Sequence, residues 1–482
     1  METLSFEDLS RRVFIKGLGF VSVGLILGTL GGCEQIVEEI KNRPTRRRLR
    51  TGSPEVDADI ATYKSAVELM QGLSPSDPRN WASIAGIHGT VAGGFLYCQH
   101  GTVHFFDWHR AFLFFFEKIC QKLTGKANFG LPYWNWNQNP DIHPAFLDST
   151  SALYLPRANT TMAGSWSVSA AALDPIFADT NFYTFSSQLE VTPHNTVHST
   201  IGDTMGTGGS ALDPLFWVHH GMVDYSWAKW NIELGNNTTN DPSWANTVDS
   251  HFVDADKNPA TEVAAVTTLM PLLSYQYESS AIGSSPALPE ARTRADFQIL
   301  ERRIREGANV TFDIRQRYRV AERATISIAA PFSTETKLTA GDLSRIIDSD
   351  AVTERVFASV DFVALPPTSD FAVRVFVNLP GANRNTPNDE PHLAGSFAFF
   401  GTTQPGATPS AAGGHHHQPK FLVNLTNTLQ RLKKNHELRD GSPITLQLVP
   451  TPFAEKFERD DTQLMLQDID IIITPVIINP LR

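Results

Sequence analysis

Apolar residues along the chain follow two different rhythms. Over residues 54–72 they recur at helical spacing, as Ile60, Tyr63, Ala66, Val67 and Met70, which predicts a helix. Residues 105–120 are strongly apolar and aromatic, predicting a second helix closed by Lys122 and Gly125. Helical patterning returns over 193–200 and 213–233, whereas 128–178 is rich in Gly, Pro and Asn and reads as long loops over a rigid frame. Composition shifts to Ser, Ala and Pro over 279–292, as expected of a linker. Beyond Val310 apolar and polar positions alternate, predicting strands at 310–314, 371–379, 444–449 and 469–473, with one helical insertion at 422–432. The first half is therefore expected to be mostly helical and the second mostly β, without internal repeats.

At 482 residues the chain fits two domains plus a tail, and 41% hydrophobic with 19% charged residues is a globular composition. A formal net charge of -11 argues against a nucleic-acid partner, which would require clustered Lys and Arg. The run Arg46-Arg47-Arg48-Leu49-Arg50 is expected to be a solvated linker. Three cysteines, Cys33, Cys98 and Cys120, build no disulfide framework. Ser10-Arg11-Arg12-Val13-Phe14-Ile15-Lys16, followed by uncharged residues to Gly32, matches a twin-arginine export signal. It ends Leu30-Gly31-Gly32-Cys33, a degenerate lipoprotein box, so Cys33 is a candidate lipid anchor and the expected location is periplasmic, membrane-tethered or secreted.

Histidines carry the candidate chemistry. One cluster holds His100, His104 and His109; another holds His194, His198, His219 and His220. His194 and His198 stand four apart, so on a helix their rings share a face and can share an ion. Imidazole suits copper, zinc or iron. An isolated pair would be weak evidence; two aromatic-flanked clusters in one helical half point to a dinuclear site.

These clusters resemble the two copper signatures of the type-3 copper proteins, the tyrosinases, catechol oxidases (polyphenol oxidases) and hemocyanins. His100, four residues, then Phe105-Phe106-x-Trp108-His109-Arg110 with Leu113 and Glu117 resembles the first signature. Asp213-Pro214-x-Phe216-Trp217 followed by His220 and Asp224 resembles the second, and Ile87-His88-Gly89 is similar to the upstream ligand segment. The resemblance implies copper A held by His88, His100 and His109, copper B by His194, His198 and His220, and Asp224 behind the ligands. It leaves His104 unassigned and selects His220 over His219, on the expectation that only one of these neighbours faces the metal. His143 and Cys120 receive no role. Cys98, two residues before His100, is expected to form a thioether to that ring, a covalent form of ligand support.

The resemblance implies an oxidoreductase with two copper ions, with dioxygen as co-substrate and small phenols as substrates. It would hydroxylate monophenols at the ortho position and oxidise o-diphenols to o-quinones. Glu190 and Asn195 are expected to position a water that takes the phenol proton, general base catalysis through one water. The segment Met205-Gly206-Thr207-Gly208-Gly209-Ser210 offers no aromatic gate, which favours tyrosinase over a strict catechol oxidase. An o-aminophenol oxidase or a hemocyanin-like oxygen carrier are the alternatives. The expected architecture is a mainly α copper domain built on a four-helix bundle, followed by a β-rich, sandwich-like domain. Residues 1–33 form the signal, 34–53 the basic linker, 54–280 the copper domain, 281–309 a linker and 310–482 a domain that shields the cleft of a latent pro-enzyme. His415-His416-His417 is expected in a solvated loop.

Overall fold

The computed structural model describes residues 43–236, 238–239, 241–284, 308–312, 316–337, 354–366, 371–400, 419–438, 443–452 and 462–480. The export signal, Cys33, most of the 281–309 linker and His415–His417 lie outside these residues. Among those described, no helix is long and apolar enough to cross a membrane.

The first half is helical. Ser53 caps the helix Pro54–Gln71, with proline at its first position, and left-handed Gly125 ends Phe105–Thr124. Asp213 accepts from the Leu215 N–H at 2.8 Å and so caps Pro214–Ala228. Helical segments unmarked by the pattern occupy Trp81–His88, Ala170–Ala178 and Phe182–Leu189. The four helices Trp81–His88, Phe105–Thr124, Asn195–Ile201 and Pro214–Ala228 carry or adjoin five of the six expected ligands, and His100 lies in the loop before Phe105. Large aromatics pack them together; the rings of Phe116 and Trp217 lie stacked with centroids 3.6 Å apart.

The basic run is not a solvated linker. Thr45–Arg46 pairs in parallel with Gln276–Tyr277, and the Arg46 side chain is fully buried. Its Nε donates to Glu117 at 2.8 Å and a terminal nitrogen donates to Asp224 at 3.0 Å, while the guanidinium lies 3.6 Å from the Tyr275 ring centre. The charge that suggests solvent in the sequence instead pairs with two buried carboxylates, Glu117 and, together with Arg110, Asp224.

The second half is a β-sandwich. One sheet runs in the order Phe332–Thr336, Ile444–Pro452, Phe371–Val377, Leu393–Ala398. The other runs Lys420–Asn424, Glu354–Phe362, Gln463–Pro480, Ala308–Phe312, with Gln316–Glu322 and Thr325–Ser327 also paired to Gln463–Pro480. Val373 and Val375 of the first sheet share a core with Val356, Ala358, Val360, Ile469 and Ile471 of the second. The helical insertion starts later than its pattern suggests, at Thr426–Lys434. Residues 420–424 pair instead as a strand with Glu354–Phe362, and helical spacing begins with buried Leu425, Leu429 and Leu432.

The halves meet beside the histidines. Val191 joins the sandwich core, the Thr192 hydroxyl donates to the Ser396 carbonyl, and the Ser199 hydroxyl donates to the Phe399 carbonyl at 2.7 Å.

Candidate metal centre

Helix ends, helix interiors and, for His100, the loop before Phe105 present the expected ligands. His88 closes the last turn of Trp81–His88, and His109 lies one turn into Phe105–Thr124. His194 sits in a wide turn, Glu190–His194, that leads directly into Asn195–Ile201 and brings its ring within 4.6 Å of that of His198. His220 projects from the middle of Pro214–Ala228.

Hydrogen bonds to acceptor-only groups reveal how several rings are protonated. Nδ1 of His88 lies 2.9 Å from the Gly208 carbonyl, that of His109 2.7 Å from Phe105 O, and that of His198 2.8 Å from Met205 O. A carbonyl can only accept, so each Nδ1 carries the proton and each Nε2 offers a lone pair. His194 Nδ1 lies 3.0 Å from Asn195 Oδ1 and 3.3 Å from the Glu190 carbonyl, with the same consequence.

The freed nitrogens converge. His88 Nε2 and His100 Nε2 are 3.2 Å apart; His220 Nε2 is 3.3 Å from His194 Nε2 and 3.2 Å from His198 Nε2. His109 Nε2 has no hydrogen-bond partner though buried. No hydrogen bond engages Nδ1 of His100 or His220, so the proton of each can sit there and leave the converging Nε2 lone pairs to a shared cation. Burial also drives every one of these rings toward the neutral form, His88 to about 4 and His194 to about 3, the others well down. Neutral imidazoles with fixed tautomers are the form that binds a metal. The donor set therefore fits two copper ions.

Other expected residues divide. The Cys98 thiol is buried and within 4.8 Å of the ring nitrogens of His88 and His100. The Glu190 carboxylate is buried, accepts from the Gly101 N–H at 2.6 Å and lies 3.3 Å from His100 Nδ1. Burial pushes its pKa up to about 8, partly offset by that N–H. Asp224 does not touch a ligand ring. It accepts from Arg110 and Arg46 and, at 2.7 and 2.6 Å, from the hydroxyls of Tyr275 and Tyr277, a strut one layer behind the site. His104 donates or accepts at Asp107 over 2.8 Å and lies parallel to Trp244; His143 caps the short turn Pro144–Phe146. Buried Cys120 is a core residue.

The geometry also corrects the expectation that only one of the adjacent histidines faces the metal. His219 is fully buried, with its ring stacked at 19° to His194, and it offers a nitrogen within 4.8 Å of those of His194, His198 and His220. Burial does not choose between the neighbours; His220 Nε2 lies 3.3 Å from His194 Nε2 and 3.2 Å from His198 Nε2.

Two aromatics at the mouth carry no metal-ligand motif. The glycines of 206–210 serve close packing against a hairpin formed by Gly89–Thr90 and Gly94–Phe95: a Cβ on Gly208 would stand 2.3 Å from the Gly94 carbonyl carbon. From that hairpin Phe95 stacks on His100, with centroids 4.3 Å apart. From the sandwich, Phe400 lies over the site, parallel to His198 and 5.2 and 5.5 Å from the ring centres of His100 and His194. Neither residue was legible in the motifs: Phe95 stands in a glycine-rich stretch, and Phe400 lies 180 residues beyond His220.

The description "Common central domain of tyrosinase" matches residues 78–153 and 144–233. A tyrosinase of Hahella sp. (strain CCB-MM4) is 24% identical over 82% of this chain and 93% of its own length. Aureusidin synthase of Antirrhinum majus is 30% identical over 46% of this chain, which spans 49% of that enzyme. Latent apple tyrosinase superposes with a TM-score of 0.62 at 21% identity, covering 89% of this chain and 97% of its own, a likeness of fold. Residues 78–233 therefore carry a tyrosinase-type central domain, and with its paired imidazole clusters and β-rich second half the chain is similar to tyrosinases and polyphenol oxidases.

Proposed function

We propose that this chain is a phenol oxidase that hydroxylates monophenols at the ortho position and oxidises o-diphenols to o-quinones, held latent by its own sandwich domain. The observation that carries the reading is the convergence of buried imidazole Nε2 atoms within each of two neighbouring histidine groups. His88, His100 and His109 would hold copper A, and His194, His198 and His220 copper B. Two copper ions bound there would supply the electron exchange with dioxygen.

The protein's own groups orient the ring and handle its proton. His198 offers a flat face on which an aromatic ring can stack, as Phe400 does at 3.9 Å and 18°. A phenol must lose its proton to bind a metal, and its ordinary pKa near 10 opposes this at neutral pH. Glu190 and Asn195 flank His194 and would hold the water that accepts the proton. Bound cations beside Glu190 favour its carboxylate form, countering the upward push of burial. A thioether between Cys98 and His100 would lock the orientation of that ring. The twin-arginine signal and Cys33 favour export of the folded chain, with a lipid tether at Cys33.

Phe400 occupies the position a substrate ring would need, which supports latency. Oxygen uptake with 4-methylphenol and 4-methylcatechol, before and after limited proteolysis between the domains, tests the proposal. Uptake with both substrates, rising after cleavage, is expected. Uptake with the catechol alone would reduce the activity to that of a catechol oxidase, and cleavage without a rise would remove latency.

A further inference from the structure

We propose that Phe95 is a specificity-determining residue, the copper-A-side wall against which the substrate ring is gripped; this rests on the phenol-oxidase reading. Phe400 marks where an aromatic ring sits in this cavity, face to face with His198. Phe95 is the ring that meets it from the copper-A side, 5.0 Å away and inclined at 65°, within the range of favourable edge-to-face pairs.

Phe95 is held in place from three directions. It stacks on His100 at 25° and meets His88 edge-on at 5.4 Å and 88°. Its backbone pairs with Gly89, and that strand lies so close to the 206–210 loop that a Cβ on Gly89 would come 2.6 Å from the Gly208 carbonyl. The wall therefore cannot retreat without separating two backbones in contact. The residue is half-buried.

A phenol that replaces Phe400 meets His198 on one face and Phe95 at an angle. A monocyclic ring with its substituent para to the hydroxyl, directed outward, fits this slot. A second ring fused on the copper-A flank collides with Phe95. The substrate class that follows is monocyclic, para-substituted phenols and catechols, with fused bicyclic diols disfavoured.

The copper-loaded Phe400→Gly chain, whose site is open, provides the test when combined with Phe95→Ala and, as a milder change, Phe95→Leu. For 4-methylcatechol, Phe95→Ala is expected to raise KM about 3- to 10-fold with kcat within about 2-fold, the loss of one aromatic pair. KM for 2,3-dihydroxynaphthalene is expected to fall in the same variant, and Phe95→Leu should lie between. Binding of benzoate, which offers no hydroxyl to oxidise, should weaken by the same factor as the 4-methylcatechol KM rises. Unchanged KM ratios in both variants, with catechol still oxidised, would overturn the wall. A parent that oxidises no phenol would instead overturn the functional reading; benzoate affinity, weakened or unchanged, would then still decide for or against Phe95.

Discussion

The ring of Phe400 lies parallel to that of His198, centroids 3.9 Å apart and planes inclined at 18°. The contact joins a residue of the sandwich to an expected copper-B ligand 202 positions earlier in the chain. Hydroxyls of Thr192 and Ser199 secure the same segment through the Ser396 and Phe399 carbonyls. Replacing Phe400 by glycine removes the plug while leaving those bonds. Catechol oxidation by the full chain should rise about tenfold or more, since burying one Phe side chain stabilises the closed state by about 1.5–3 kcal/mol. Steady-state oxygen uptake without proteolysis checks this, and an unchanged rate would mean that Phe400 does not gate the site.

Arg46 neutralises Glu117 and Asp224 in a fully buried network. Arg46→Ala leaves Glu117 without its cation and Asp224 with Arg110 alone. The expected cost is about 3–5 kcal/mol, because breaking a buried pair strands its partner. Thermal unfolding of the copper-free protein measures it; a change within about 0.5 kcal/mol, typical of a surface site, would show that the run behaves as a solvated linker.

Buried Asp249 is pushed up to about 9, first by burial and then by the neighbouring carboxylate of Asp107. Asp249 thus stays protonated in the folded state at pH values where it would ionise in the unfolded chain. A raised carboxyl pKa contributes stability that is complete below the ordinary value of 3.8 and is lost as pH rises through about 9. Melting temperature should therefore decline across that window. Asp249→Asn, which resembles the protonated acid, should flatten the decline; an equally steep decline in the variant would exclude Asp249 as its source.

Copper held by the converging Nε2 atoms would contribute to the folded state's stability. His194→Ala should leave one tightly held copper ion per chain in place of two, measured by metal analysis after dialysis against a weak chelator. Full removal of copper should lower the melting temperature of the parent. Two ions retained in the variant would point to His219 as a substitute ligand.

Cys98 lies near enough to His100 for a carbon–sulfur bond after a modest side-chain movement. Protein exposed to copper and oxygen should be lighter by two hydrogen atoms, and Cys98→Ala should abolish that loss. Intact-protein mass spectrometry with a thiol-blocking reagent distinguishes the bonded from the free thiol.

Most of the helical half and the alternation of the sandwich were legible because they depend on local period: Phe105–Thr124 and Phe371–Val377 announce themselves within a single window. The ligand clusters were legible because their spacing is local too. What escaped depends on partners distant in the chain. Arg46 looks like a solvated charge until Glu117 and Asp224 are brought to it across 71 and 178 positions. Asp224 looks like a ligand's neighbour because it follows His220, yet its turn of the helix faces Arg110 and two tyrosines. The glycines at 206–210 read as an open mouth, although close backbone packing is what requires them there.

Oxygen uptake by the copper-loaded Phe400→Gly chain with 4-methylcatechol tests the central claim, oxidase chemistry at two histidine-held coppers, most directly. Sustained consumption that continues far beyond one dioxygen per chain and disappears in His194→Ala is expected. Uptake that saturates at one dioxygen per chain and reverses on degassing, or no uptake by fully copper-loaded protein, would contradict it.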